Sequence, residues 1–465
     1  MFFIDEILSS SEKSFEVMAE ELAKKPFEEQ VDEWATGTRA MFGKEVFDHL
    51  IRGMPIPKVP VRGPRVTARG IQDYADSLGD DNPLYTDPGY AAKTRYGYLI
   101  APPTYLLRAR YTVGHGYTGG RGYSVGQIAY PLANYFSGTL FEWHNVIPVG
   151  TRFLTSCRNR QLLEKKGRKG RLFFLACETF YWNQSSDLLG KARGHIIFVP
   201  LRARHDVDNI GKGMLYERPT HRYTNEEVKK IKEDLDGEVR RGAETRYWED
   251  VEVGDIVPST VEGPFSLAEQ TGGTRGWELT YKWMKRTARE YIHPVTKWPW
   301  STAAEHEDPL LCKYRGLPGP FDGGAHRVQV LEHPLVNWAG DDGFLRKLYV
   351  EIRKPNYYGD VTWFNCKVIE KYKVKEVGEA GPGGVPGEAE YAAVDIEIMG
   401  INQVGEKTTP GRATIFLPSH ELGSVQLPIP HLARPPGEYT EPTPEYIPFP
   451  SYSLDKEIRV ARGGL

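Results

Sequence analysis

The 465-residue chain sets 59 Lys and Arg against 62 Asp and Glu, a net charge of -3, with 40% apolar and 26% charged residues. This is ordinary globular composition, long enough for two or three domains. A nearly balanced charge offers no basic field to hold a nucleic-acid backbone, so nucleic acid is not an expected partner.

Cys157, Cys177, Cys312 and Cys366 lie far apart, with no CxxC pair and no histidine cluster at zinc-ligand spacing. They read as buried thiols in a reducing compartment, with no metal site. The run MFFIDEILSSSEKSFEV has no basic stretch followed by a long apolar one, and no apolar run reaches the ~18 residues of a membrane span. A cytoplasmic protein without a membrane partner is expected.

Ser9 and Glu12 are spaced as a capping box, Phe15, Met18, Ala19 and Leu22 follow at helical intervals, and Pro26 interrupts that helix. A second amphipathic stretch runs from Val31 to Ile51, so residues 1–57 read as a helical arm. Beyond the Gly63-Pro64 turn, ARGIQDYADSL reads as a helix and DDNPLYTD as a loop. The strand-like runs TRFLTSCRNRQLLE, GRLFFLACETFYWNQ and LGKARGHIIFVP follow after Gly138, closing a domain over residues 58–205.

A linker over 206–244 contains a charged helix near Thr224–Val239. The order then recurs in 245–423, with a Gly/Pro-rich turn ahead of LRKLYVEIRKP, DVTWFNCKVIEKYKV, YAAVDIEIMGINQ and GRATIFLP. WNQ…GKARGHIIFVP in the first half echoes INQ…TPGRATIFLP in the second, which points to an internal duplication. Residues 378–390 read as a flexible Gly/Pro loop, and the proline-rich tail 424–465 as an extended wrap.

The segment DYADSLGDDNPLYTDPGYAAKTRYGYLIAPPTYLL, residues 73–107, resembles the signature of the MaoC-like (R-specific enoyl-CoA hydratase) family. That signature is D-x-N-P-x-H, then an acid, then a small-residue "HG" turn. Asp80, Asn82, Pro83 and Asp87 fit it, whereas Tyr85 stands at the histidine position. LFEWHNVIPVG and the strands to Pro200 resemble the FAS1-like dehydratase half of two-domain members. In the second half, WEDVEVGDIVPSTVEGPFSL and HEDPLLCKYRGLPGPFDGGAH resemble the same family, keeping His306 and an acid at Asp308. Ser301 stands where the family has its catalytic Asp.

The resemblance implies an α+β double hot-dog fold, two fused domains in which a curved antiparallel sheet wraps a helix. It further implies a hydratase or dehydratase, a carbon–oxygen lyase, acting reversibly on an α,β-unsaturated acyl-CoA in fatty or aromatic acid metabolism. Coenzyme A then enters only as part of the substrate, and association into a dimer or other homo-oligomer is expected. Adding water across an enoyl thioester takes a base for the water, an acid for the α-carbon and a donor to the thioester oxygen. Counting equally from each motif, His306 leads to Gly324 and Tyr85 leads to Pro103, and proline has no N–H. One working site is therefore expected in the second half, with His306 as acid/base, the Gly324 N–H as oxyanion donor, and Ser301 and Asp308 beside them.

Glu305, Glu307, Asp322 and His293 are candidate replacements for the missing Asp, and Asp80 and Tyr85 are candidates from across the halves. Each has a plainer reading. A lone histidine braces turns, a serine caps them, and Asp-x-Asn-Pro makes a turn by side-chain-to-backbone bonding. Trp277, Tyr281, Trp283, Trp298 and Trp300 read as core or as a pocket lid for a bulky acyl group. Arg193, Lys347, Arg353 and Arg412 suit either coenzyme A phosphates or a solvated strand face. Two other functions fit the same fold: an acyl-CoA thioesterase, and a non-catalytic acyl-CoA-binding scaffold.

Overall fold

The computed structural model describes residues 24–40, 42, 45–47, 65–109, 132–167, 170–200, 218–266, 306–314, 317–381 and 383–433. Helix α1, Phe27–Arg39, starts directly after Pro26 and lays Val31, Trp34 and Ala35 on the sheet. The Trp34 ring meets Phe173 and Phe198 at 5.2 and 4.7 Å between centroids. The amphipathic stretch expected to reach Ile51 ends as helix at Arg39, and strand β1, Glu45–Phe47, pairs with Ser156–Arg158 instead. Val46 and Phe47 are residue types that suit a strand better than a helix.

Polar caps divide the next segment. Thr67 accepts from the Gly70 amide to open α2, Ala68–Ser77, which buries Ile71, Tyr74 and Ala75. Asn82 caps α3, Pro83–Thr86, and Asp87 caps α4, Pro88–Ala91, each ahead of a proline at the first helical position. Strand β2, Ile100–Ala101, leads through a short 3-10 turn at Pro103–Tyr105 into α5, Leu106–Ala109.

Long strands follow: β3, Leu132–Trp143; a short β4, Ile147–Pro148, paired with β2; β5, Leu154–Gly167; β6, Gly170–Trp182; and β7, Leu188–Pro200. A capping box of Thr224 and Glu227 opens the linker helix α6, Asn225–Asp236. The second half contributes β8, Ile256–Glu262; α7, Pro309–Tyr314; the long α8, Gly324–Ala339; β9, Phe344–Glu351; β10, Thr362–Gly378; β11, Gly387–Asn402; and β12, Lys407–Leu417. Strand β10 ends at Gly378 and β11 begins at Gly387, so the expected 378–390 loop is shortened at its far end, where residues 387–390 are strand.

One ten-stranded antiparallel sheet spans both halves in the order β1-β5-β6-β7-β3-β9-β12-β11-β10-β8. The halves meet where β3 pairs with β9, Leu140 facing Tyr349. Helix α8 lies in the curve of the second half against β8, β9, β10 and β12, and it also touches β3 of the first. Its side chains are buried almost all round, including Arg327, Gln329, Glu332, His333 and Asn337. The four cysteines are buried, as expected. Among the described residues no helix is long and apolar enough to cross a membrane.

Candidate active site

The start of α8 is built from a buried ion pair. Arg327 donates from Nε to Asp322 Oδ2 at 2.7 Å and from Nη2 to Oδ1 at 2.6 Å, and its Nη1 reaches the Lys354 carbonyl at 2.8 Å. Asp322 Oδ1 also accepts the Asn356 amide at 2.9 Å, which pins the chain leading into the helix. Asp322, expected as a replacement acid, is therefore committed to holding Arg327.

Gly323 caps the helix and Gly324 is its first residue. The Gly324 N–H thus belongs to the set that a helix leaves without an intrahelical acceptor. A side chain at Gly324 would overlap the Phe136 ring on β3, so only glycine lets the first half pack so close to this helix start.

His306 is brought to the same place. Its Nδ1 lies 2.8 Å from the carbonyl oxygen of Phe321, three residues before Gly324, and the Tyr358 hydroxyl donates to the His306 carbonyl at 2.6 Å. A carbonyl only accepts, so Nδ1 carries the proton and the lone pair of the neutral ring is on Nε2. Asp308, expected as the acid paired with His306, caps α7: its Oδ1 accepts the amides of Leu310 and Leu311 at 2.8 and 3.1 Å. Glu307 is half-buried next to His306. Ser301, Glu305 and His293, and the aromatics from Trp277 to Trp300, lie outside the described residues.

A cleft beside the helix start is lined by Phe265, His326, Val330 and Phe364, with Asp322 and Asn356 as polar walls. Burial, reinforced by the Arg327 charge, pushes the His326 imidazole down to about 4, so this ring is neutral.

The first-half motif sits against the middle of α8. Asp80 is 4% exposed, and its Oδ1 accepts the Asn82 amide at 3.0 Å, the expected turn. It also lies 3.7 Å from His333 Nε2, with Glu238 Oε2 at 3.9 Å from the same nitrogen. Tyr85 is buried, and its hydroxyl is held well above its usual range by burial first and by the neighbouring acids Glu332 and Asp80. The expectation that Pro103 removes the donor of this half is corrected one residue on. The Thr104 amide faces α8 and donates to Glu332 Oε2 at 2.6 Å. Burial pushes the Glu332 carboxyl well above the ordinary carboxylate range, and Asp80 adds to the shift.

Glu332 and His333 were not singled out by the sequence. In RVQVLEHPLVNWA apolar and polar residues are mixed round the whole helix, so nothing singles out the side that faces the first half. The only signal is two adjacent ionisable residues ahead of a proline in an otherwise apolar run.

Residues 60–189 match the family description "FAS1-like, dehydratase domain region". A solved MaoC-like dehydratase is 15% identical and superposes over 82% of this chain and 99% of its own, with a TM-score of 0.52. The fold is the MaoC-like double hot-dog.

Curated relatives match only part of this chain. A UPF0336 protein of Thermobifida fusca (strain YX) is 41% identical over 60 residues, 13% of this chain and 37% of the relative. A UPF0336 protein of Streptomyces avermitilis is 46% identical over 37 residues, 8% of this chain and 25% of the relative. The matched lengths thus take in about a third and a quarter of those relatives.

Proposed function

We propose that the chain is a hydratase or dehydratase acting reversibly on an α,β-unsaturated acyl thioester such as an enoyl-CoA, with its site in the second half. The observation that carries this reading is the fixed orientation of His306, whose Nδ1–H is spent on the Phe321 carbonyl beside the N-terminus of α8. In hydration, Nε2 takes a proton from water as its oxygen adds to the β-carbon, and the π electrons pass through the α-carbon onto the thioester oxygen. The Gly324 N–H, aided by the positive end of the helix, holds that developing negative charge. Collapse of the enolate takes the proton back from the imidazolium to the α-carbon, and the catalyst returns to its starting state. Two unlike halves are free to shape one pocket for a bulky or aromatic acyl group, which a symmetric pair of identical halves is not.

The test is water addition followed by mass spectrometry across short, long and aromatic enoyl-CoA substrates. His306→Ala is expected to lose about 10²- to 10⁴-fold in rate, the usual contribution of a general acid/base, while Asp80→Asn retains turnover. Loss of turnover only in Asp80→Asn would move the site to the first half. Free thiol released without change at the double bond would make the protein a thioesterase.

A further inference from the structure

The contact between Thr104 and Glu332 has an unusual composition. A backbone N–H just after two prolines, at the start of the first half's 3-10 turn, donates to a carboxyl oxygen carried in by the helix of the other half. Glu332 is 2% exposed and has no basic partner within reach of its carboxyl among the contacts of the described residues. A buried carboxyl in this setting keeps its proton. Since Oε2 accepts from Thr104, the proton belongs on Oε1, and Oε1 has no hydrogen-bond partner among the described residues.

Other orphans lie along the same side of α8. Gln329, Glu332, His333 and Asn337 follow at helical spacing, and Gln329 Oε1, His333 Nε2 and Asn337 Oδ1 are also buried without a hydrogen-bond partner among the described residues, His333 Nε2 having only the longer approaches of Asp80 and Glu238. Gln329 uses its Nε2 to hold the Tyr74 hydroxyl at 2.7 Å, which in turn meets Thr104 Oγ1 at 2.8 Å. Buried unsatisfied polar atoms each cost about 1–3 kcal/mol, so a row of them along one seam marks a place prepared for polar groups that a ligand brings.

We propose that the Thr104 amide is a seat for the carbonyl oxygen of an acyl thioester, that the Glu332 carboxyl fills this seat until the ligand displaces it, and that Asp80 and His333 line it. The carbonyl oxygen of a protonated carboxyl is the same kind of acceptor as a thioester carbonyl, so Glu332 stands in for the ligand it excludes. The proposal rests on the acyl-thioester reading above for the identity of the ligand only; the seat itself is drawn from the first half, away from His306.

Butyryl-CoA, which is saturated and cannot be hydrated, is titrated by calorimetry into the full-length wild type, Glu332→Ala, Glu332→Ala/Thr104→Pro and His306→Ala, with circular dichroism confirming the fold. Glu332→Ala is expected to bind about tenfold or more tightly at the first-half seat, since a hydrogen bond of about 1.4 kcal/mol no longer has to be displaced. Adding Thr104→Pro, which deletes the donor at a first-turn position that tolerates proline, is expected to abolish the gain. If Glu332→Ala does not fold, Glu332→Ser, too short to reach the amide, replaces it in both comparisons. An unchanged or weaker affinity in the folded Glu332 variant, or a gain that survives Thr104→Pro, overturns the seat. Binding that responds only to His306→Ala overturns the seat and leaves the hydratase reading standing, whereas no binding to any variant overturns both.

Discussion

The Tyr90 hydroxyl donates to Asp341 Oδ2 at 2.6 Å, tying the first-half helix that follows the Asp80 motif to the end of α8, 251 residues away in sequence. Tyr96 adds a second tie by donating to the Asp341 carbonyl at 3.2 Å. The seam between the halves is thus closed by specific polar contacts as well as by the shared sheet. Tyr90→Phe removes one contact and leaves the ring, and with Asp341 buried and Tyr90 half-buried the expected cost is about 1.5 kcal/mol, the low end for a bond to a charged group. Urea unfolding measures it, and an unchanged midpoint would mean that the hydroxyl bonds equally well to water.

Breaking the ion pair under the helix start has a larger effect. Asp322 and Arg327 are both buried, and Arg327→Ala leaves the carboxylate without its bidentate partner. The expected loss is about 3–5 kcal/mol, typical of a buried charge left uncompensated. Denaturant titration reads this directly. A loss under 1 kcal/mol would show that water reaches Asp322 in the variant.

The close approach of Phe136 to Gly324 predicts a coupled pair. Gly324→Ala forces its new methyl into the Phe136 ring and costs about 1–3 kcal/mol by overpacking. Phe136→Ala opens a gap, and the double variant is expected to lose less than the sum of the two single losses. A double-mutant cycle on unfolding free energies separates this from simple addition.

Tyr358 reaches His306 through the backbone, by its hydroxyl bond to the His306 carbonyl. Its loss in Tyr358→Phe is expected to lower kcat about fivefold, the effect of about 1 kcal/mol in positioning, with KM nearly unchanged. An equal rise in KM would point to a role in substrate binding instead.

Acid stability carries a signature of the buried histidines. His195 and His326 are each held down to about 4, by burial first and by the neighbouring Arg193 and Arg327 second. An unfolded histidine takes its proton near pH ~6.5. Above that pH both states are neutral and the stability is fully present. As pH falls from about 6.5 towards 4 the unfolded chain binds protons that the folded chain refuses, costing up to about 3 kcal/mol per histidine. Carboxyls held up by burial, such as Glu332 and Asp341, act in the opposite sense. The test is therefore the difference between wild type and His326→Gln. The variant should show the shallower fall between pH 6.5 and 4, and parallel curves would mean that His326 is protonated alike in both states.

The fold was legible to the extent that its signals are local. The helix in ARGIQDYADSL, the strand runs of both halves and the charged helix after Thr224 all lie in short windows of sequence and form as read, whereas DDNPLYTD, expected as a loop, holds the short helix Pro83–Thr86 that Asn82 caps. His306 was legible through its distance from the glycine turn, and the structure seats it beside that turn. Asp308 has a local role as well, since an acid two residues after the histidine also caps the next helix. Glu332 and His333 stayed hidden because their meaning lies in what faces them. That partner is Asp80 and the Thr104 amide, more than 200 residues upstream, and no spacing rule reaches that far.

The junction of β3 with β9 joins the halves into a single sheet whose outer strands, among the described residues, are β1 and β8. Two separate copies of such a half would have to find each other before any group from one faced a group from the other, and dilution would part them. Here one chain supplies both faces, so their ratio is fixed at one to one and their meeting is independent of protein concentration. Each half is then free to drift from the other in sequence, since neither needs to complement itself. An acid such as Glu332 can persist on one side of the seam with nothing like it on the other.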